Sequence, residues 1–430
     1  MADLPLVRHH PDAPFAYRQR ELVRAAEFLA EVARVAAALP DRRHVINLCT
    51  DRFRFTVGFA AALLRGQITL MPPTQTASVI ERLTRDYPDL YRFDDDGAAL
   101  GAGRGAAPSA VPLIPEERIA AIAFTSGSTG DPRPHAKSWG GLVASANAEI
   151  ESLGIRALPG LALLGTVPPQ HMYGLESTVL MPLQGALVLH GGRPFFPADV
   201  CAELEALPRP RGLVTTPVHL RALLAEASAV PPLDFLLCAT APLPVQLAAE
   251  AEARFAAPLH EIYGCTEAGQ LATRRPTESF EWQLFQRFAM RQDEKGTWVK
   301  GGHARADLLL SDVIEMRGRD RFLLHGRTAD LVNVAGKRTS LAALNHHLNS
   351  IPGVRDGTFV VPAEEPGSVA RLSAFVVAPG LTSERILEAL RQRIDPAFLP
   401  RPLCIVESLP RNATGKLPRA QLEMLAAKAG

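Results

Sequence analysis

Residues 119–137 read Ile-Ala-Ala-Ile-Ala-Phe-Thr-Ser-Gly-Ser-Thr-Gly-Asp-Pro-Arg-Pro-His-Ala-Lys. The apolar run 119–124 suits a buried strand. It feeds a loop with two glycines, Gly127 and Gly130, and the hydroxyl residues Thr125, Ser126, Ser128 and Thr129. Glycine lets backbone N–H groups turn toward an anion, and hydroxyls add donors. Arg133 and Lys137 supply positive charge just beyond, so the stretch suits a polyphosphate. Taken alone, such a cluster is equally what an ordinary turn looks like. The common phosphate loop is excluded: it needs Gly-Lys-Ser/Thr at fixed spacing, and the fifth residue after Gly127 is Pro132. That weakens a phosphotransferase reading.

Working outward, strands alternate with helices. Residues 20–39 carry apolar side chains at helical spacing and end at Pro40, 44–48 read as a strand, and 55–64 as a second helix. Beyond the loop, 161–167, 186–190, 212–215 and 235–238 read as strands, and 245–255 as an alanine-rich helix. This alternation predicts an α/β fold, a large N-terminal domain of mixed and parallel sheets flanked by helices. Residues 94–112, rich in Gly, Ala, Asp and Pro, read as an exposed connection. A second, smaller α+β unit is expected from about residue 328, with a helix at 341–348, strands at 357–362 and 371–377, and a helix at 383–394. The expected domains are therefore 1–327 and 328–430.

Bulk properties exclude several classes. The 430 residues exceed one compact core and suit two or three subdomains. The net charge of +1 gives no footprint for nucleic acid or an anionic membrane. No apolar run approaches the ~18 residues of a membrane span, and the N-terminus, with His9, His10 and Asp12, lacks a signal-peptide core. The five cysteines are scattered without a Cys-x-x-Cys pair, which fits reduced thiols and a cytoplasmic location. His9-His10 and His346-His347 lack the spacing of a helical metal site and read as surface residues.

Four further segments give the loop a context. Residues 261–269 read Glu-Ile-Tyr-Gly-Cys-Thr-Glu-Ala-Gly; Asp312 precedes Gly326-Arg327 and Asp330; 334–341 read Val-Ala-Gly-Lys-Arg-Thr-Ser-Leu; and 409–419 read Leu-Pro-Arg-Asn-Ala-Thr-Gly-Lys-Leu-Pro-Arg. Each alone passes for a turn or a solvated tail. In this order, from about 119 to 422, they resemble the adenylate-forming superfamily: acyl- and aryl-CoA synthetases, nonribosomal adenylation domains and luciferases. The short format resembles most the bacterial synthetases of aryl-polyene and xanthomonadin pigment clusters.

The resemblance implies an enzyme that joins a carboxylic acid, aryl or fatty, to ATP as an acyl-adenylate with loss of pyrophosphate. The acyl group then passes to a thiol, either of CoA or of the phosphopantetheine arm of an acyl carrier protein. It implies that Thr125, Ser126, Gly127, Ser128, Thr129 and Gly130 hold the β- and γ-phosphates, with Arg133 or Lys137 replacing the family's usual lysine. Tyr263 would stack on adenine, Thr266 bond the α-phosphate, Glu267 hold Mg²⁺, Asp312 accept from the ribose hydroxyls, and Arg327 contact ribose or phosphate. Lys416 would bridge the substrate carboxylate and the α-phosphate, and His171 line the acyl pocket, where a structural histidine is the other reading. The C-terminal domain would rotate to present the Lys416 loop and then the Gly336 loop. Ala329 stands where the family's pivot residue is usual, and 280–310 lacks the family's Gly-Glu and Gly-Tyr signatures. Two other readings are a degenerate adenylate-binding module, which would need neither Glu267 nor Lys416, and an amino-acid-activating enzyme, for which Glu176 is the sole acidic candidate within 168–181.

Overall fold

A computed structural model describes residues 2–72, 74–96, 110–125, 133–226, 229–301, 304–327, 331–334, 337–361, 372–411, 417, 421, 422 and 424, without the side chains of 125, 304–306, 327, 331, 333 and 338. Among these, an eleven-stranded sheet forms the backbone of the large unit. Its centre is parallel: Leu259–Cys265, Phe235–Cys238, Arg211–Thr215, Ala162–Gly165, Val188–His190 and Pro14–Arg18 run side by side. These strands are short apolar runs covered on both faces, as parallel strands require. Antiparallel strands close both edges: Glu21–Arg24 on one side, and Gly269–Arg274, Trp282–Leu284, Arg321–Arg327 and Asp312–Met316 on the other.

A second sheet of five strands follows the order Leu90–Phe93, His44–Asn47, Ile68–Met71, Ile119–Thr125 and Arg133–Ser138. The first four are parallel and the last is antiparallel. The helices Ala25–Ala38, Arg52–Leu64 and Trp139–Ser152 contribute Phe28, Phe53, Phe59, Trp139 and Leu142 to the apolar core of this region. The helix Val245–Phe255 coincides with its expected bounds and buries Leu247, Ala248, Ala251 and Phe255, one stripe at helical spacing.

Two expectations need correction, and one segment that carried no expectation gains a structure. The first helix starts at Ala25, not residue 20, because Glu21–Arg24 pairs with Pro14–Arg18 across a tight turn that holds Gln19 and Arg20 at positive φ. Residues 280–310, featureless to family signatures, contain Trp282–Leu284 and a three-stranded antiparallel meander, Phe288–Asp293, Gly296–Gly301 and Ala304–Leu309. His9 is not a surface residue: it is buried, its Nε2 lies 2.9 Å from the Leu187 carbonyl, and its ring packs edge-on to Phe15.

Residues beyond 331 have a core of their own, built from Val332, Leu344, Leu348, Phe359, Ala374, Ile386 and Leu390. The helix Leu341–Asn349 and strands Asp356–Val360 and Ser373–Val377 supply most of it. Arg411 grips Asp356 through two hydrogen bonds of 2.7 and 2.8 Å, and Arg221 of the large unit reaches the same carboxylate at 3.8 Å. The expected boundary at 328, the pivot position Ala329 and Gly336 lie outside the described residues.

Candidate active site

The strands that flank the phosphate-loop candidate in sequence form an antiparallel pair. The strand Ile119–Thr125 returns as Arg133–Ser138, with Thr125 opposite Arg133. Alternate strand residues share a face, so Arg133, His135 and Lys137 point the same way. That face meets the turn that follows Leu259–Cys265. The Lys137 ammonium donates to the Glu267 carbonyl at 2.7 Å, and His135 Nε2 stands 3.9 Å from Glu267 Oε1. Burial holds the Lys137 ammonium below its ordinary value, opposed first by the carboxyl of Glu176; burial likewise lowers His135, opposed by Glu267. Lys137 thus ties the turn to the hairpin, while Arg133 is exposed.

The turn itself depends on Gly264. A Cβ there would stand 2.5 Å from the Gly269 carbonyl oxygen and 2.9 Å from Gln270 Cα. The tight return leaves Thr266 half-buried and Glu267 exposed, so Glu267 offers a hard oxygen donor to solvent. Just before the turn, the buried Tyr263 donates its hydroxyl to Asp312 Oδ2 at 2.8 Å, and its ring packs against Trp282 and Phe322. Asp312 pairs in register with Arg327. Tyr263, Asp312 and the backbone of Arg327 therefore share one neighbourhood, near the carboxyl ends of the parallel strands, where α/β sheets bind ligands. Ser126, Gly127, Ser128, Thr129, Gly130 and Lys416 lie outside the described residues, as do the side chains of Thr125 and Arg327.

His171 caps the short helix Met172–Leu175, which continues into a π-helical turn, Glu176–Leu180. The loop leading to it is held from behind by the fully buried Arg52. Its guanidinium donates to the carbonyls of Gly165 at 2.9 Å, Val167 at 2.6 Å and Gly192 at 3.1 Å, and to Thr178 Oγ1 at 3.0 Å. Burial lowers it to about 9. Gln170 adds a bond of 2.6 Å to the Cys49 carbonyl.

Behind the turn and this helix lies a buried polar cluster. Ser177 Oγ donates to Glu149 Oε1 at 2.5 Å, Gln270 Nε2 donates to Ser177 Oγ at 2.9 Å, and Ser145 Oγ donates to Glu176 Oε1 at 2.7 Å. Burial raises both carboxyls, Glu149 to about 8, while Lys137 acts against the rise of Glu176. Glu176, the sole acidic candidate for an ammonium, therefore already faces Ser145 and Lys137. Sequence reasoning passed over His135, Arg52, Glu149, Ser177 and Gln270. Only His135 had a signal, the alternation Arg-x-His-x-Lys; the others are single polar residues inside apolar helices or strands.

A family model described as AMP-binding enzyme matches residues 42–287. A 4-coumarate–CoA ligase of Rhodobacter capsulatus is 30% identical over 306 residues, covering 70% of this chain and 75% of the relative. ATP-bound MatB from Rhodopseudomonas palustris superposes with a TM-score of 0.83 at 17% identity, over 97% of both chains. The o-succinylbenzoate CoA synthetase of Bacillus subtilis, in complex with its acyl-adenylate intermediate, superposes at 0.81 and 19% identity, over 98% of this chain and 99% of that one. The two structures carry the fold; the family match covers more than half the chain and spans the hairpin, the His171 segment and the Thr266–Glu267 turn. The chain belongs to the AMP-binding enzyme family.

Proposed function

We propose that this acid–thiol ligase activates an aryl acid and hands it to CoA. The carboxylate attacks the α-phosphorus of ATP, a new carboxyl O–P bond forms, and the bond to the departing pyrophosphate breaks. The thiol then attacks the acyl carbon, and AMP leaves. Both steps gather negative charge, which needs cations and fixed dipoles.

The observation that carries this reading is the junction of the Arg133–His135–Lys137 face with the Thr266–Glu267 turn, tied by Lys137 to the Glu267 carbonyl. Basic side chains and an exposed carboxylate gathered next to strand ends that flank the glycine- and hydroxyl-rich residues 126–130 in sequence support a polyphosphate site. Mg²⁺ with a nucleotide takes one or two carboxylates plus phosphate oxygens, and Glu267 fits that donor set; bound there, the ion would neutralise phosphate charge. In this reading Ser126 to Gly130 cradle the phosphates, Thr266 bonds the α-phosphate, Asp312 holds the ribose, and Lys416 bridges carboxylate and phosphate.

The aryl assignment rests on the acids in the relatives' names, 4-coumarate and o-succinylbenzoate. The compensated state of Glu176 speaks against an amino acid. A carrier-protein thiol is the second acceptor to test, and cysteines that are free throughout suit the reducing cytoplasm. The test is acid-dependent ATP–pyrophosphate exchange over a panel of aryl, fatty and amino acids with Mg²⁺. Exchange confined to aryl acids is expected. A folded protein that exchanges with none of the panel contradicts the reading.

A further inference from the structure

We propose that Glu149 and Gln270 recognise a hydroxyl group at the far end of the acid, so that the substrate is a hydroxyl-bearing aryl acid. This rests on the function proposed above and narrows it.

The hydrogen-bond directions in the buried cluster leave little freedom. The Ser177 hydroxyl gives its proton to Glu149 Oε1, so its oxygen must accept from Gln270 Nε2. That acceptance fixes which way the Gln270 amide is turned. Gln270 Oε1 then points elsewhere, and Glu149 Oε2 is the free end of the carboxyl. The Gln270 side-chain amide also hydrogen-bonds toward the Glu149 carboxyl, which opposes the rise in its proton affinity. Yet neither Glu149 Oε2 nor Gln270 Oε1 has a hydrogen-bond partner among the described residues, and both side chains are at most 2% exposed. Buried polar atoms in native proteins are nearly always paired, so two orphans within one buried cluster call for a partner.

The chemistry of that partner follows. Burial keeps Glu149 protonated near neutral pH, so Oε2 has a proton to give, while an amide oxygen only accepts. A single hydroxyl satisfies both, accepting from Glu149 and donating to Gln270. A carboxylate can only accept and an ammonium can only donate, so neither fits the pair.

The location ties the pair to the reacting carboxylate. Gln270 lies opposite Gly264 on the strand Gly269–Arg274, which returns directly from the Thr266–Glu267 turn. Ser177 lies six residues beyond His171 on a helical segment, about 9 Å along. The helical segment that carries Glu176 and Ser177 is π-helical, a form concentrated at functional sites. Tyr173, Ala239, Tyr263 and Ala268 belong to one apolar cluster between these elements, a wall suited to a ring. In a buried setting a missing hydroxyl leaves donor and acceptor unpaired, which is where discrimination is strongest.

The test compares kcat/KM for exchange with matched acids, 4-hydroxy- and 3-hydroxy-substituted against unsubstituted benzoate and cinnamate. The wild type is expected to favour a hydroxylated acid by about tenfold or more. In Glu149→Gln and Gln270→Leu, measured separately so that either can fail to fold without loss of the test, that ratio should fall toward one. Equal kcat/KM for both acids in the wild type, or a preference undiminished in the folded variants, overturns the inference and leaves a buried water as the partner. Exchange with no acid at all would instead contradict the function on which it rests.

Discussion

At the scale of single residues, the most telling group is Glu149. Its carboxyl is wholly buried and raised to about 8, against about 4.5 in an unfolded chain. Between those values the folded state binds the extra proton. Stability is therefore fully present below the unfolded value and is lost as pH rises toward 8, by at most about 1.4 kcal/mol per pH unit. Glu149→Gln removes the titration while keeping the Ser177 contact, so its urea midpoint should vary less between pH 5 and 8 than that of the wild type. Parallel curves for the two proteins would mean that Glu149 does not titrate in that window. Glu149 was invisible in the sequence because one glutamate on a helix reads as solvated surface. Only packing against Ser177 and Gln270, 28 and 93 residues from their partners, makes it otherwise.

At the scale of elements, the proposed site rests on the strand pair Ile119–Thr125 and Arg133–Ser138 and on the turn after Tyr263. Strand Ile119–Thr125 was legible as an apolar run between polar loops, and Glu267 and Asp312 were legible through motif order. The strand Arg133–Ser138 was not, since Arg-Pro-His-Ala-Lys-Ser has low strand propensity and owes its form to pairing with its neighbour. The meander at 288–309 stayed hidden for a related reason: its strands are mostly half-exposed and carry little hydrophobic contrast. The turn after Tyr263 admits no side chain at Gly264. Gly264→Ala should cost about 1–3 kcal/mol of stability and lower exchange activity more than it lowers thermal stability would explain, because Thr266 and Glu267 move with the turn. A variant with wild-type exchange would show that the turn's geometry is not part of the site.

At the scale of the whole molecule, alternating strands and helices announced the two-sheet α/β body. The antiparallel edges are mostly hairpins local in sequence, Pro14–Arg18 with Glu21–Arg24 and Asp312–Met316 with Arg321–Arg327 among them, which the reading of the sequence passed over. The C-terminal unit has its own core and touches the large unit through Arg221 and Asp356, with Arg411 bracing the contact. A separate core that meets the large unit through side chains such as Arg221–Asp356 and Ser340–His325 suits a unit that docks in more than one way, as the proposed alternation between the Lys416 and Gly336 loops needs. The account then predicts two separable half-reactions, with Lys416 serving only the first. The most direct measurement is single-turnover mass spectrometry with an accepted acid, ATP and Mg²⁺, before and after CoA is added. The wild type should accumulate acyl-adenylate and convert it to acyl-CoA on addition. Lys416→Ala should form little adenylate yet still convert supplied acyl-adenylate to the thioester. Loss of both half-reactions to the same degree, or a thioester that forms without any adenylate, would contradict the account.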